Sequence, residues 1–397
     1  MKSKKWLTLL AIMAVTLIFS FTVQAEEGVT DTEIHVGQWG PQTGPAAPWG
    51  SVARGTDAMF KMINEEGGIH GRKIVHHMFD DAYNPAMTKA GVKQLQESTG
   101  IFAWVSGVGT APGLSVMDYL MEKQIPWVGP AAGSQHWISP PKKYLFAVYP
   151  LYSLEAKALV RYGVNRLMKK NVAMIYQNDD YGKNGVQGAT EELAQYGMKL
   201  VAEVPVEVKD TDMKPHVMRL KKSGADMVLL WVSPTHAVRI VGTAKAMNYD
   251  TQFMSTSTCS DFPLMFKISK GLWKGVIAAA FGELPEADHY LMKKYKSDAY
   301  AKFAAKDERW GTFYYAGMLF AEPFVEALKR CGRELTREKL VKELEGLKDF
   351  RGIGGSITYK PFDAKDPSCR EGMQEVFLIE CLEGGEIKKL SDWMRIE

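Results

Sequence analysis

From Glu33 onward, short apolar runs alternate with longer amphipathic ones, and this rhythm restricts the fold more than any single motif does. Glu33 to Trp39 alternates like a strand. Val52, Thr56, Met59, Phe60 and Ile63 then recur at helical spacing until Gly67-Gly68 stops them. Lys73 to Phe79 reads as a second strand, 86–97 as a helix, Ile101 to Val105 as a buried strand, Gly113 to Lys123 as a helix and Ile125 to Val128 as a strand. Strands joined through helices become parallel neighbours, with helices over both faces of the sheet. The grammar restarts with a helix over 153–168, strand Val172 to Tyr176, helix 184–196, strand 199–206, helix 212–222, strand Met227 to Val232 and helix 235–247. The expected fold is α/β, two doubly wound parallel-sheet lobes, with the Gly-, Ser- and Pro-rich stretch Pro130 to Pro150 as loop and crossover between them.

A chain of 397 residues has room for two domains, and 46% hydrophobic residues supply ordinary cores. Residues 1–25 carry Lys2, Lys4 and Lys5, an apolar run from Trp6 to Val23 and the small-residue exit Val23-Gln24-Ala25. This is the layout of a secretory leader cleaved after Ala25. The run is also long enough to be a permanent anchor, but small residues at both key positions before Glu26-Glu27 favour processing. Without the three leader lysines, 46 basic residues face 46 acidic ones. A neutral body lacks the positive field that phosphate neutralisation requires, which argues against a nucleic-acid partner and for a small one.

Cys259, Cys331, Cys369 and Cys381 allow three disulfide pairings among which sequence does not choose, and no two are spaced as CxxC. His76-His77 sits in a strand-like run where neighbours point to opposite faces, a poor joint metal site. No metal or cofactor is expected. Gly107-x-Gly109 hints at a dinucleotide fingerprint, yet Pro112 occupies the third glycine position; neither GxSxG nor GxxxxGK[ST] occurs, which weakens an enzymatic reading. The strand Ile101 to Val105 runs into Ser106-Gly107-Val108-Gly109-Thr110, with Pro112 where a first helical residue would stand. Free NH groups and a hydroxyl converge there, and the partial positive charge of a helix N-terminus suits a ligand carboxylate. Capping its own helix is the competing role for Thr110.

Several segments carry a resemblance. They are Val36-Gly37-Gln38-Trp39-Gly40-Pro41-Gln42-Thr43-Gly44-Pro45 with Trp49-Gly50, then Ile63-Asn64-Glu65-Glu66-Gly67-Gly68-Ile69-His70-Gly71-Arg72-Lys73-Ile74, Asp80-Asp81-Ala82-Tyr83-Asn84-Pro85, Pro130-Ala131-Ala132-Gly133, Asn178-Asp179-Asp180-Tyr181-Gly182 and Leu220-Lys221-Lys222-Ser223-Gly224-Ala225-Asp226. Together they resemble the type I periplasmic binding proteins of ABC importers, in the leucine/isoleucine/valine-binding family, over nearly the whole chain after the leader. The resemblance implies a flytrap of two lobes, 28–150 plus 283–353 and 151–282 plus 354–397, joined by hinge crossings near 148–152, 279–284 and 353–358. It implies a periplasmic, monomeric, non-catalytic receptor that closes on a small organic carboxylate or amino acid and hands it to a membrane permease. A sensory ectodomain handing occupancy to a signalling partner is the alternative the same fold would serve.

By the same resemblance, Thr110 donates to the ligand carboxylate, Ala131, Ala132 and Gly133 offer backbone groups, and Gly133 replaces a residue usually bearing a hydroxyl. Trp49 covers the ligand side chain, Trp310 adds a second wall and Tyr181 closes from the other lobe. Ser257 stands where the family usually has a carboxylate for the ligand ammonium, with Asp261 as a substitute four residues away, and Ser233 stands where a second Tyr is usual. The Cys pair usual in the first lobe is replaced by Tyr83 and Gly109. A buried ammonium without a carboxylate is costly, so a plain carboxylate, aromatic or aliphatic, is expected to bind at least as well as leucine.

Overall fold

The computed structural model describes residues 26–396; the leader expected over 1–25 lies outside the described residues. The first sheet contains β1 (Glu33–Gly40), β2 (Lys73–Asp80), β3 (Ala103–Val105), β4 (Trp127–Val128) and β5 (Leu145–Phe146), all parallel, in the order β2-β1-β3-β4-β5. In the second, β6 (Val172–Gln177), β7 (Ala202–Val206), β8 (Met227–Trp231), β9 (Gln252–Ser255) and β10 (Ile277–Ala280) are parallel. With β11 (Glu375–Cys381) and β12 (Ile387–Lys389) at one edge, its order is β12-β11-β10-β9-β8-β6-β7. Here the sheet departs from the all-parallel expectation. β11 runs antiparallel to β10, and both β12 and β13 (Met394–Arg395) run antiparallel to β11. The turn over 382–386 is too short for a parallel crossover, so β11 and β12 must pair as a hairpin.

Helices begin where the local chemistry caps them. The helix Pro85–Thr99 starts one residue before the expected 86 because Asn84 accepts from the Ala86 and Met87 NH groups while Pro85 takes the first turn. Asp180–Gln195 starts four residues before the expected 184 because the Asp179 side chain accepts from Gly182 N. In the first lobe, Trp39, Trp104 and Trp127 are fully buried, and the Trp39 ring lies 5.8 and 5.0 Å from the other two.

The chain leaves the first sheet after β5 through residues 147–151. It returns after β10, where Glu283 N donates to Ile353 O at 2.7 Å, and passes again toward β11, where Met373 N donates to Val148 O at 3.0 Å. The return lays the long helix Thr312–Cys331 on Ser51–Glu65. The two helices touch backbone to backbone: a Cβ on Gly55 would stand 1.8 Å from Tyr314 O, one on Gly317 1.8 Å from Val52 O, and Thr56 Oγ1 donates to Gly317 O at 2.9 Å. Only glycine permits this approach.

Ala is the better helix former by roughly 1 kcal/mol, so the sign of Gly55→Ala tests the contact. We expect the variant to be less stable by about 1–3 kcal/mol, the usual cost of overpacking, seen as a lowered Tm in thermal denaturation. A raised Tm would show that the helices do not meet here.

Candidate functional site

Between the two sheets, at the carboxyl ends of their strands, lies a narrow cleft with a cavity volume of about 30 Å3, the position ligands take in open α/β sheets. From the first lobe come Ala46 and Trp49 after β1, Tyr83 after β2, Val108 and Gly109 after β3, and Ala131 after β4. The second lobe gives Gln177 and Tyr181 after β6, Val232 and Ser233 after β8, and Thr258 after β9, with Tyr152 at the start of the helix Tyr152–Asn165. The lining residues include four aromatic side chains and none that is charged. Tyr152 and Tyr181 meet edge to face at 4.9 Å, and Trp49 lies 4.8 Å from Phe313. Tyr83 lies on Gly109: a Cβ there would stand 2.5 Å from the Tyr83 ring. The two positions where the family usually has a Cys pair are therefore still in contact, with a phenol filling the gap. The Gly109 φ of 102° also suits glycine.

Thr258 joins the walls. The Trp49 indole NH donates to its carbonyl at 2.9 Å, and its hydroxyl lies 2.9 Å from the Tyr181 hydroxyl. Its loop is anchored on Glu155. That carboxylate accepts the Thr256 hydroxyl at 2.5 Å, Ser257 N at 3.0 Å and the Ser257 hydroxyl, which in turn accepts from Tyr149 at 2.5 Å. Glu155 is fully buried, and burial pushes its carboxyl up to about 7 against these three hydrogen bonds. Burial also pushes Asp179 up, although Gln177 Nε2 donates to it at 2.6 Å.

Of the residues expected at the site, Trp49, Ala131, Tyr181 and Ser233 line the cleft. Thr110 opens the helix Thr110–Glu122 directly after the lining Gly109; it is fully buried, and its hydroxyl has no hydrogen-bond partner among the described residues. The Ala132 carbonyl is taken by the Trp137 indole at 2.7 Å, and Gly133 packs against the first crossing, its carbonyl accepting Tyr152 N at 2.8 Å. Ser257 sits behind the lining on Glu155. Trp310 lies in a separate groove with Phe377 and Trp393, held by its indole NH on Pro285 O at 2.8 Å. Asp261 accepts Leu264 N and Phe313 N, both at 3.2 Å, so its acceptors serve backbone. All four cysteines are buried and unpaired. His76 faces Asp57 and Gln38, whereas His77 contacts His35.

Sequence reasoning missed Tyr83, Tyr152, Gln177, Thr258 and Glu155. Glu155 left one trace: it falls three residues after Tyr152 and four before Leu159, on the buried face of its helix.

A carboxyl whose pKa is higher folded than unfolded favours folding fully below its ordinary value of 4.5, and that contribution is lost as pH rises through its folded value. For Glu155 the window is pH 4.5 to about 7. We expect the Tm of Glu155→Gln to fall less steeply than wild type across that window. The difference in slope should integrate to on the order of 3 kcal/mol. Parallel curves from pH-series thermal denaturation would refute the assignment.

The chain matches the periplasmic binding protein family over residues 33–376. It is 28% identical over 223 residues to Leu/Ile/Val-binding protein homolog 3 of Brucella melitensis, an alignment covering 56% of this chain and 59% of that protein. Against the leucine-specific-binding protein of Salmonella typhimurium it is 22% identical over 354 residues, covering 88% and 91%. Among solved structures, a fatty acid ABC transporter substrate-binding protein from Thermomonospora curvata superposes with a TM-score of 0.83 at 22% identity, covering 94% of this chain and 95% of that one. A branched chain amino acid ABC transporter structure from Thermus thermophilus with bound valine gives 0.82 at 20% identity, covering 93% and 98%. With two α/β lobes, a cleft at the ends of their strands and a family match along most of its length, the chain belongs to the periplasmic binding proteins.

Proposed function

We propose that this protein is a periplasmic receptor of an ABC importer, exported through the leader at 1–25, which captures a small carboxylate-bearing ligand with an apolar or flat aromatic body by closing its lobes and delivers it to a membrane permease. The observation that carries the reading is the lining of the cleft, aromatic on both sides and without a charged side chain. Trp49, Tyr83, Tyr152 and Tyr181 suit a hydrophobic body through area burial and ring stacking. The NH groups opening the helix Thr110–Glu122, with the unpartnered Thr110 hydroxyl, suit a carboxylate. An ammonium would meet less. Glu155, the carboxylate nearest Ser257, already accepts three hydrogen bonds, and burial drives it toward its neutral form. The relatives named for leucine, isoleucine and valine support a ligand of this size, and the fatty acid receptor supports a carboxylate without an amino group.

Thermal-shift screening of the mature protein against amino acids, aromatic acids and aliphatic acids tests this. We expect benzoate-like acids or the α-keto acid of leucine to raise Tm at least as much as leucine does; a ligand at a hundredfold excess over its Kd stabilises by about 2.7 kcal/mol. Saturation should also reduce the radius of gyration in solution scattering, because the walls belong to different lobes. Tight binding of leucine with no response to any acid lacking an amino group would overturn the ligand assignment. Unchanged scattering at saturation would overturn closure.

A further inference from the structure

Asp261 and Gly311 meet across the two lobes. Asp261 follows β9 on the second lobe, and its Oδ1 accepts Leu264 N at 3.2 Å, capping the short helix Phe262–Ile268, which packs on Pro234–Ala246 and the turn at 383–385. Its other oxygen, Oδ2, accepts Phe313 N at 3.2 Å, in the first turn of the helix Thr312–Cys331. That helix belongs to the other lobe, packed on Ser51–Glu65 and β4. Its own N-cap residue is Gly311, which has no side chain to cap with, so an orphan NH of this helix is satisfied from the opposite lobe. Gly311 is also what lets the carboxylate in: a Cβ on it would stand 2.4 Å from Asp261 Oδ2. Its backbone is extended, φ −168° and ψ 178°, a conformation open to any residue, so the glycine is needed for space and not for its torsion angles. Asp261 is 5% exposed, and the same loop carries Thr258, whose carbonyl holds Trp49 while Trp49 packs on Phe313.

We propose that Asp261 and Gly311 form a latch: the carboxylate of the second lobe caps the long helix of the first only while the cleft is closed, and so sets ligand affinity without touching ligand. This rests on the closure reading above. When the lobes part, Phe313 N must turn to water, and the approach of carboxylate to glycine is lost. A side chain at position 311 obstructs the closed state alone, whereas removing the carboxylate leaves the closed state sterically possible but uncapped.

The test uses the mature protein at a leucine or benzoate concentration that compacts wild type and compares wild type, Gly311→Ala, Asp261→Ala and the double variant by solution scattering and by hydrogen exchange at the Phe313 amide. Because Asp261→Ala also uncaps the helix Phe262–Ile268, Gly311→Ala is the decisive variant. We expect it to enlarge the radius of gyration and to speed Phe313 exchange about tenfold or more, the value of one hydrogen bond to a charged group. The double variant should be no worse than Asp261→Ala, since the three atoms nearest the methyl all belong to the carboxylate that is then absent, a non-additivity diagnostic of direct contact. Leucine and benzoate, as probes, should bind Gly311→Ala about tenfold more weakly with unchanged stoichiometry. Wild-type exchange and scattering in Gly311→Ala, or penalties that simply add, would overturn the latch. If wild type itself failed to compact with either probe, closure would fall, whereas a wild type that compacts alongside variants that match it in every readout would reject the latch alone.

Discussion

Thr258 is held by both lobes at once, and the cleft takes its shape from that residue. Its carbonyl receives the Trp49 indole from the first lobe and its hydroxyl meets Tyr181 on the second, so a single loop fixes two aromatic walls. The loop is rigid because Glu155 gathers three donors from its two preceding residues. Buried polar networks are worth keeping only when their members are satisfied, and here the satisfied acceptor sits where two sheets must agree on a distance. Around this point the lining can be almost entirely apolar, since the polar groups that position it lie one layer back.

The strand and helix rhythm made the two lobes legible, because every buried parallel strand is a short apolar run bounded by an amphipathic helix. It did not reveal the antiparallel edge. Glu375–Cys381 lies beyond the last element that the rhythm marks, and the short turn before Ile387 decides its sense. Trp49 and Tyr181 were legible as site residues through the family resemblance, which sets each aromatic after a strand end. Trp310 had the same character without the same place: its indole found a carbonyl at Pro285 and stayed in another groove. Glu155 was hidden for the opposite reason. An acidic residue in the first turn of a helix is ordinary macrodipole chemistry, and nothing in a linear sequence shows that this one is buried against a loop about a hundred residues away.

Ser257 shows how a departure from family pattern can mislead. A hydroxyl replaces the usual carboxylate, yet a carboxylate is present one hydrogen bond away, supplied by another element and spent on holding the loop. The carboxyl group has moved from the cleft wall into its support, where burial drives it toward its neutral form. What the ligand meets at the wall is therefore decided by phenols, an indole and backbone donors.

The Tyr83 ring resting on Gly109 has a mechanical consequence. A cystine at these two positions would tie strand ends β2 and β3 at one separation whatever the rest of the lobe did. A ring lying on a glycine resists compression and adds no tie of its own, so the spacing of these strand ends is left to the β1 ladder that pairs with both. Such a wall is indifferent to thiols and oxidants.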